Sequence, residues 1–193
     1  LPAVSWLFQR TLPALLISIP VIFQPELRRA LERVGRAVQI GGPSTRHATD
    51  TDHMISIIAL ACQRLADRKH GALIVLERAT GLENYADTGV KIDAVITSEL
   101  LQNIFFRNSP MHDGAVIIRQ HRVLAAACIL PLTSSYMSDR RLGLRHRAAI
   151  GITEATDALA VVVSEEHGTI SIAHNGRIIR RLDAARLEMI LRA

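Results

Sequence analysis

Three short clusters in the sequence carry residue types able to hold anions and move protons. The first is Ser109-Pro110-Met111-His112-Asp113-Gly114-Ala115, directly ahead of an apolar run. Asp-Gly is an ordinary turn dipeptide, but His112 beside Asp113 adds metal-ligand or acid–base capacity. Gly114 would let a ligand approach the backbone closely. The second cluster is Arg145-His146-Arg147, which follows Gly143-Leu144 and opens a predicted helix. Guanidinium groups bind phosphate bidentately and keep their charge, and amides at a helix start reinforce anion binding. A solvated basic turn is the alternative reading, and Arg140 and Arg141 are read that way. The third cluster, Ser164-Glu165-Glu166-His167-Gly168, ends a strongly apolar run. Ligands of α/β sheets often sit at strand ends. Either glutamate could serve a metal; a solvated hairpin tip is the alternative. His47, His53, His70, His121 and His174 lack a supporting pattern and are read as surface or structural.

Other phosphate-binding and hydrolytic signatures are missing. The sequence holds no Gly-Lys-Ser/Thr loop, no GxGxxG, no HExxH and no GxSxG. Any phosphate site must therefore be built from arginines and backbone amides. The formal net charge of +5 favours anionic partners. Aromatic residues are only 4% of the chain, too few for a base-stacking surface, and no nucleic-acid motif occurs, so nucleic acid is not an expected partner. Cys62 and Cys128 lie in apolar stretches without CxxC spacing and are read as small buried hydrophobes in a reducing setting.

The elements that must position these clusters alternate between strand and helix. Met54, Ile57, Ile58, Ala61 and Leu65 form one apolar stripe of a long helix, with cap candidates at Thr49 to Asp52 and a stop at Gly71. Ala72 to Leu76 reads as a buried strand and Ser98 to Phe106 as a helix. Ala115 to Ile118 and Val123 to Leu130 read as strands around a turn. Arg147 to Thr156 is a predicted helix. Leu159 to Val163 and Thr169 to Ala173 form a strand pair, and Asn175-Gly176 a hairpin turn leading into Arg177 to Arg180. Ala184 to Leu191 is a terminal helix. The 193 residues suffice for one α/β domain with a mostly buried mixed sheet flanked by helices.

The start of the chain differs in character. Leu1 rather than methionine opens it, and Leu12 to Phe23 is almost wholly apolar. Twelve helical residues rise only about 18 Å, against a bilayer core of about 30 Å. Two readings stand: the end of a truncated transmembrane helix over residues 1–23, or a helix packed on the domain or on a dimer partner. Pro25 to Val34 reads as an amphipathic helix with Arg28, Arg29, Arg33 and Arg36 on its other side, either solvated or drawn to anionic lipid. Ile40 to Thr51 reads as a linker. The expected division is residues 1–23, an amphipathic helix and linker over 24–48, and a domain over 49–193.

Taken in order, these segments resemble a known family. They are GALIV (Gly71 to Val75), TGLENYADTG (Thr80 to Gly89), SELLQNIF (Ser98 to Phe105), SPMHDGAVI (Ser109 to Ile117), LPLT (Leu130 to Thr133), GLRHRAAIGITEATD (Gly143 to Asp157) and VVVSEEHG (Val161 to Gly168). The set resembles the bacterial diadenylate cyclase domain from about Phe23 onward. IFQPELRRALE (Ile22 to Glu32) looks like its membrane-anchored branch, in which three transmembrane helices precede the domain.

The resemblance implies a nucleotidyltransferase that joins two ATP into cyclic di-AMP and releases pyrophosphate. It implies a divalent metal (magnesium, manganese or cobalt), held by His112, Asp113 and Glu166. Asp113 would assist deprotonation of the ribose 3′-hydroxyl, beside Gly114. Arg145, His146 and Arg147 would hold phosphates, with Ser164 nearby. Gly71, Ala72, Leu73, Gly114 and Leu130 would border adenine, with Ala115 and Leu144 also at the ATP site. A product with two equivalent linkages further implies a homodimer with two half-sites facing across a twofold axis. Location at the cell membrane with a cytoplasmic catalytic domain follows from the same likeness, and the regulatory partner is unknown. A catalytically silent ATP or cyclic di-AMP sensor of the same fold is the alternative. Leu144 stands where many members have Thr, Ile129 where some carry an aromatic, and His167 where Thr is common. These departures are expected to alter affinity and metal preference rather than the reaction.

Overall fold

The computed structural model describes residues 44–133 and 142–192. Helix α1 (Ser44–Asp67) is followed by β1 (Ala72–Leu76), α2 (Glu83–Ala86), β2 (Val90–Val95) and α3 (Ser98–Ile104). The hairpin β3 (Ala115–Arg119) and β4 (Arg122–Cys128) comes next, then α4 (Leu144–Ala155), β5 (Leu159–Val163), β6 (Ile170–His174), β7 (Arg177–Leu182) and α5 (Ala184–Arg192). The seven strands form one sheet in the order β2-β4-β3-β1-β5-β6-β7. Only β1 and β3 run parallel; every other neighbouring pair is antiparallel. This is the mixed sheet flanked by helices that the resemblance implies.

The central strands β1 and β5 are apolar at every position, and β3 at all but its last residue, Arg119, because both faces of the sheet are covered. Alternate residues of one strand enter different cores. Ala72, Ile74 and Leu76 of β1 join Val116, Ile118, Val161 and Val163 beneath α1, α3 and α5. Leu73 and Val75 join Ala115, Ile117, Ala160 and Val162 beneath α4 and α2. On α1, Ile58, Ala61, Cys62 and Leu65 are fully buried at helical spacing, with Met54 and Ile57 partly buried beside them. Burial pushes the Cys62 thiol up to about 12 and that of Cys128 to about 11, as expected of small hydrophobes rather than reactive thiols.

Several boundaries differ from the sequence-based expectation. α1 starts at Ser44, so Thr49 to Asp52 lie within the helix rather than capping it, and the predicted linker is partly helical. The helix stops on Lys69, whose φ is 52°. The Lys69 and His70 amides donate to Ala66 and Leu65, which leaves Gly71 for another use. β2 and α2 have no counterpart among the predicted elements. β2 is an edge strand with no fully buried residue, so Val90–Val95 carries little apolar signal. α2 has four residues. Helix α4 opens at Leu144 rather than Arg147, placing the whole Arg-His-Arg cluster in its first turn. Asn175 and Gly176 both have positive φ, 49° and 71°, as a tight β-hairpin turn requires. The predicted apolar segment 1–23 and most of the stretch over 24–48 lie outside the described residues.

Two features hold α4 in place. Residues Ala148 to Thr153 are all buried, because the sheet covers one side and the segment ending at Thr133 covers the other. The Thr133 amide donates to the Arg147 carbonyl at 3.1 Å, and its hydroxyl donates to Glu154 at 2.8 Å. The helix end nearest the candidate site is thereby fixed on both sides.

Candidate functional site

Arg145 and His146 project from the first turn of α4 into a cavity of about 560 Å³. Its opposite walls are Asp113 ahead of β3, the turn Ser164 to His167 between β5 and β6, and the β7 residues Arg180 and Arg181. The three sequence clusters therefore meet, although they lie far apart along the chain, because β3, β1 and β5 are neighbours and α4 packs across β1, β5, β6 and β7. Among the described residues no side chain caps α4 at Gly143, and while the His146 and Arg147 amides donate to the Gly143 carbonyl, those of Leu144 and Arg145 are placed to meet an anion.

Arg145 donates to Glu165 at 2.7 Å, and its Nε is buried without a hydrogen-bond partner among the described residues. Gly71 makes room for this pair. A Cβ at that position would lie 2.6 Å from the Arg145 Nη1 and 2.9 Å from Glu165 Oε2. Burial, then the positive charge of Arg180, pushes His146 below its ordinary value, with Glu166 pulling the other way. That direction favours the neutral imidazole.

Asp113 leaves a turn tied by Ser109. The Ser109 carbonyl accepts from the His112 amide at 3.2 Å and from the His112 ring Nδ1 at 2.6 Å, and the Ser109 hydroxyl accepts from the Met111 amide. Because a carbonyl only accepts, His112 carries a proton on Nδ1. Gly114 has φ 107° and faces the backbone of Ala127, whose Cα would lie 2.9 Å from a Cβ there. Only glycine satisfies both the conformation and the contact. In the third cluster the Ser164 hydroxyl accepts from the His167 amide and the Ser164 carbonyl from the Gly168 amide, closing a tight turn.

Asp113, Leu144, Arg145, His146, Ser164 and Glu166 are brought to one cavity. Arg147 is not on its lining; its Nε is buried without a partner among the described residues and its carbonyl anchors Thr133. Leu73, Ala115 and Leu130 are buried on the α4 face of the sheet, whereas Ala72 packs in the core on the other face. Arg180, Arg181, Thr169 and Ser171 also line the cavity and escape the sequence reading. The only available signal is a pair of adjacent arginines at the end of the predicted strand Arg177 to Arg180, the second lying just beyond it. Of the residues expected to hold a metal, Asp113 and Glu166 line the cavity and His112 does not. Among the described residues no three His, Cys, Asp or Glu side chains converge on one point. Two carboxylates still suit a divalent ion that takes its other ligands from phosphate and water, as magnesium does at nucleotides.

Residues 59–178 match the family described as DisA bacterial checkpoint controller nucleotide-binding. The whole chain is 44% identical to the cyclic di-AMP synthase CdaA of Bacillus subtilis (strain 168), covering 71% of that protein. It is likewise 44% identical over 191 residues to a diadenylate cyclase of Listeria monocytogenes, covering 99% of this chain and 70% of that one. Among solved structures, a double mutant of DacA from Staphylococcus aureus superposes with a TM-score of 0.72 at 44% identity. That match covers 74% of this chain and 95% of the other. A membrane-spanning protein from Bacillus cereus, described as hypothetical, matches at 50% identity with a TM-score of 0.63, over 66% of this chain and 62% of that one. With more than half its length inside the family match and full-length likeness to two such enzymes, the chain belongs to the diadenylate cyclase family.

Proposed function

We propose that this chain condenses two ATP molecules into cyclic di-AMP and releases two pyrophosphates. The observation that carries the reading is the convergence of Asp113 with Arg145 and His146 on one cavity. A ribose hydroxyl is a poor nucleophile at neutral pH, so a base must take its proton. Asp113 is suited to that role on the wall opposite α4. The α-phosphate needs its charge screened as the new P–O bond forms, which suits Arg145 and the uncapped amides of α4. His146, whose neutral form is favoured, serves as a hydrogen-bond partner rather than a fixed cation. Asp113 and Glu166 would hold a divalent ion (magnesium, manganese or cobalt) that, when bound, makes the hydroxyl more acidic and offsets phosphate charge. Leu73, Ala115 and Leu130 would border the adenine on the α4 face of the sheet.

One cavity presents one ATP, whereas the product needs two in mirrored roles. The simplest catalyst is a homodimer that brings two cavities face to face. An obligate monomer that made cyclic di-AMP at full rate would overturn that part. Attachment to the cell membrane through residues 1–23, with the catalytic domain in the cytoplasm, is proposed on the likeness to CdaA; among the described residues no helix is long and apolar enough to cross a membrane. The direct test is incubation with ATP and each metal, with mass spectrometry for cyclic di-AMP. Asp113→Asn should abolish the product while thermal unfolding stays at the wild-type midpoint. Normal turnover by that variant would remove Asp113 from the chemistry.

A further inference from the structure

One wall of the cavity is built by an irregularity in the sheet. β7 pairs regularly with β6 up to Ser171 opposite Arg180, but the next pair is Ile170 with Leu182. Arg181 is the extra residue, and its φ is 58°. The cores record the shift independently. Ile178 packs on the α4 face, whereas Leu182, four residues later, packs on the opposite face. In an unbroken strand, residues four apart share a face. A bulge at Arg181 accounts for the change.

Its consequence is geometric. A regular pleat would send Arg180 and Arg181 to opposite sides of the sheet, whereas here both line the same cavity. A left-handed backbone is disfavoured for any residue with a Cβ, and such conformations concentrate at functional sites. On the neighbouring strand, Ser171 is 1% exposed and lines the same cavity, and its hydroxyl has no hydrogen-bond partner among the described residues. A buried hydroxyl left unpaired is costly and calls for a ligand or water.

We infer that the Arg180–Arg181 bulge, with Ser171, is a second anion subsite of this cavity that takes the terminal diphosphate of a nucleoside triphosphate. The inference rests on ATP being the substrate and assigns the end of it that departs. As the ribose 3′-oxygen bonds to the α-phosphorus, the bond from that phosphorus to the bridging oxygen breaks. The electron pair leaves with pyrophosphate, and the hydroxyl proton goes to Asp113. Two guanidiniums beside the leaving group receive its growing charge. Arg145 and the start of α4 are then left to hold the α-phosphate.

The test is calorimetric titration of the full chain with magnesium pyrophosphate, AMP and inorganic phosphate, none of which turns over. The variants are Arg180→Ala and Arg181→Gly, the latter keeping a residue that accepts the left-handed backbone. Each should weaken pyrophosphate binding at least about tenfold, the loss of one charge-assisted contact. AMP affinity should stay within about twofold on the same scale. Arg180→Lys should recover part of the loss and guards against misfolding of the alanine variant. Wild-type pyrophosphate affinity in both variants, or parallel loss of AMP binding, would overturn the assignment. Wild-type binding of inorganic phosphate as tight as that of pyrophosphate would do the same. A wild-type chain that bound pyrophosphate but formed no cyclic di-AMP would sink the cyclase reading and leave this subsite standing.

Discussion

Gly71→Ala isolates the part played by the Arg145–Glu165 pair. The backbone at Gly71 lies outside the left-handed region, so alanine brings no conformational strain there. What it brings is a methyl group 2.6 Å from the Arg145 Nη1 and 2.9 Å from its Cζ. Those separations are well inside van der Waals contact, so the guanidinium must move. The Arg145 side chain is only 20% exposed, which leaves it few places to go. Losing a charge-assisted hydrogen bond costs about 1.5–3 kcal/mol, and at about 1.4 kcal/mol per factor of ten the KM for ATP should rise roughly 10- to 150-fold. The fold should barely notice. Glycine-to-alanine replacement at an unstrained position stabilises by about 0.4–1 kcal/mol through the unfolded chain, which offsets a comparable local adjustment. Steady-state kinetics of cyclic di-AMP formation, with urea unfolding as the control, reads both effects. The decisive comparison is the double variant with Arg145→Ala. If the methyl acts through Arg145, adding Gly71→Ala to Arg145→Ala changes KM little further. A wild-type KM in Gly71→Ala, or simple multiplication of the two effects, would refute the reasoning.

Two stability predictions concern the frame around the site. Asp157 accepts from the amides of Ala79 and Thr80 at 3.0 and 2.9 Å. Burial raises its pKa, but the Thr80 and Ala79 hydrogen bonds outweigh that and hold the carboxyl below its ordinary value. A pKa lower in the folded state gives stability that is present above the unfolded value and lost as pH falls through the folded one. Asp157→Asn should therefore show a shallower loss of unfolding free energy between neutral and acid pH than wild type, and equal slopes would refute this. Ile74 is fully buried at the centre of the sheet, so Ile74→Ala should cost about 2–5 kcal/mol by urea denaturation; a loss below about 1 kcal/mol would mean that the neighbouring core closes over the gap.

How legible each element is depends on how its burial is patterned. β1, β3 and β5 are buried on both faces, so their apolar runs stand out in the sequence. β2 belongs to the same sheet, but as a half-exposed edge carrying Lys91 and Asp93 it reads as loop. The stop of α1 falls short of the glycine expected to make it because Lys69 adopts the left-handed conformation usually given to glycine. The glycine two residues later answers instead to Arg145, a contact made across the fold. At the site, the Asp113, Arg145 and Glu166 clusters can be named because each is a short string of chemically distinctive residues. Arg180 and Arg181 cannot, since their shared direction depends on a bulge that exists only once β7 is paired with β6.

Among the described residues β2 and β7 form the two margins of the sheet. β2 carries Lys91 and has an extra residue at Asp93, where the register with β4 shifts and φ is 46°. β7 carries Arg177, Arg180 and Arg181 with the kink already described. Charged side chains and irregular hydrogen-bond spacing on an edge strand deter another chain from adding to it. Stacking of molecules into a continuous cross-chain sheet, the usual route by which exposed edges lead to aggregation, is thus obstructed at both ends. Two copies that meet are thereby steered away from edge-to-edge pairing of their sheets.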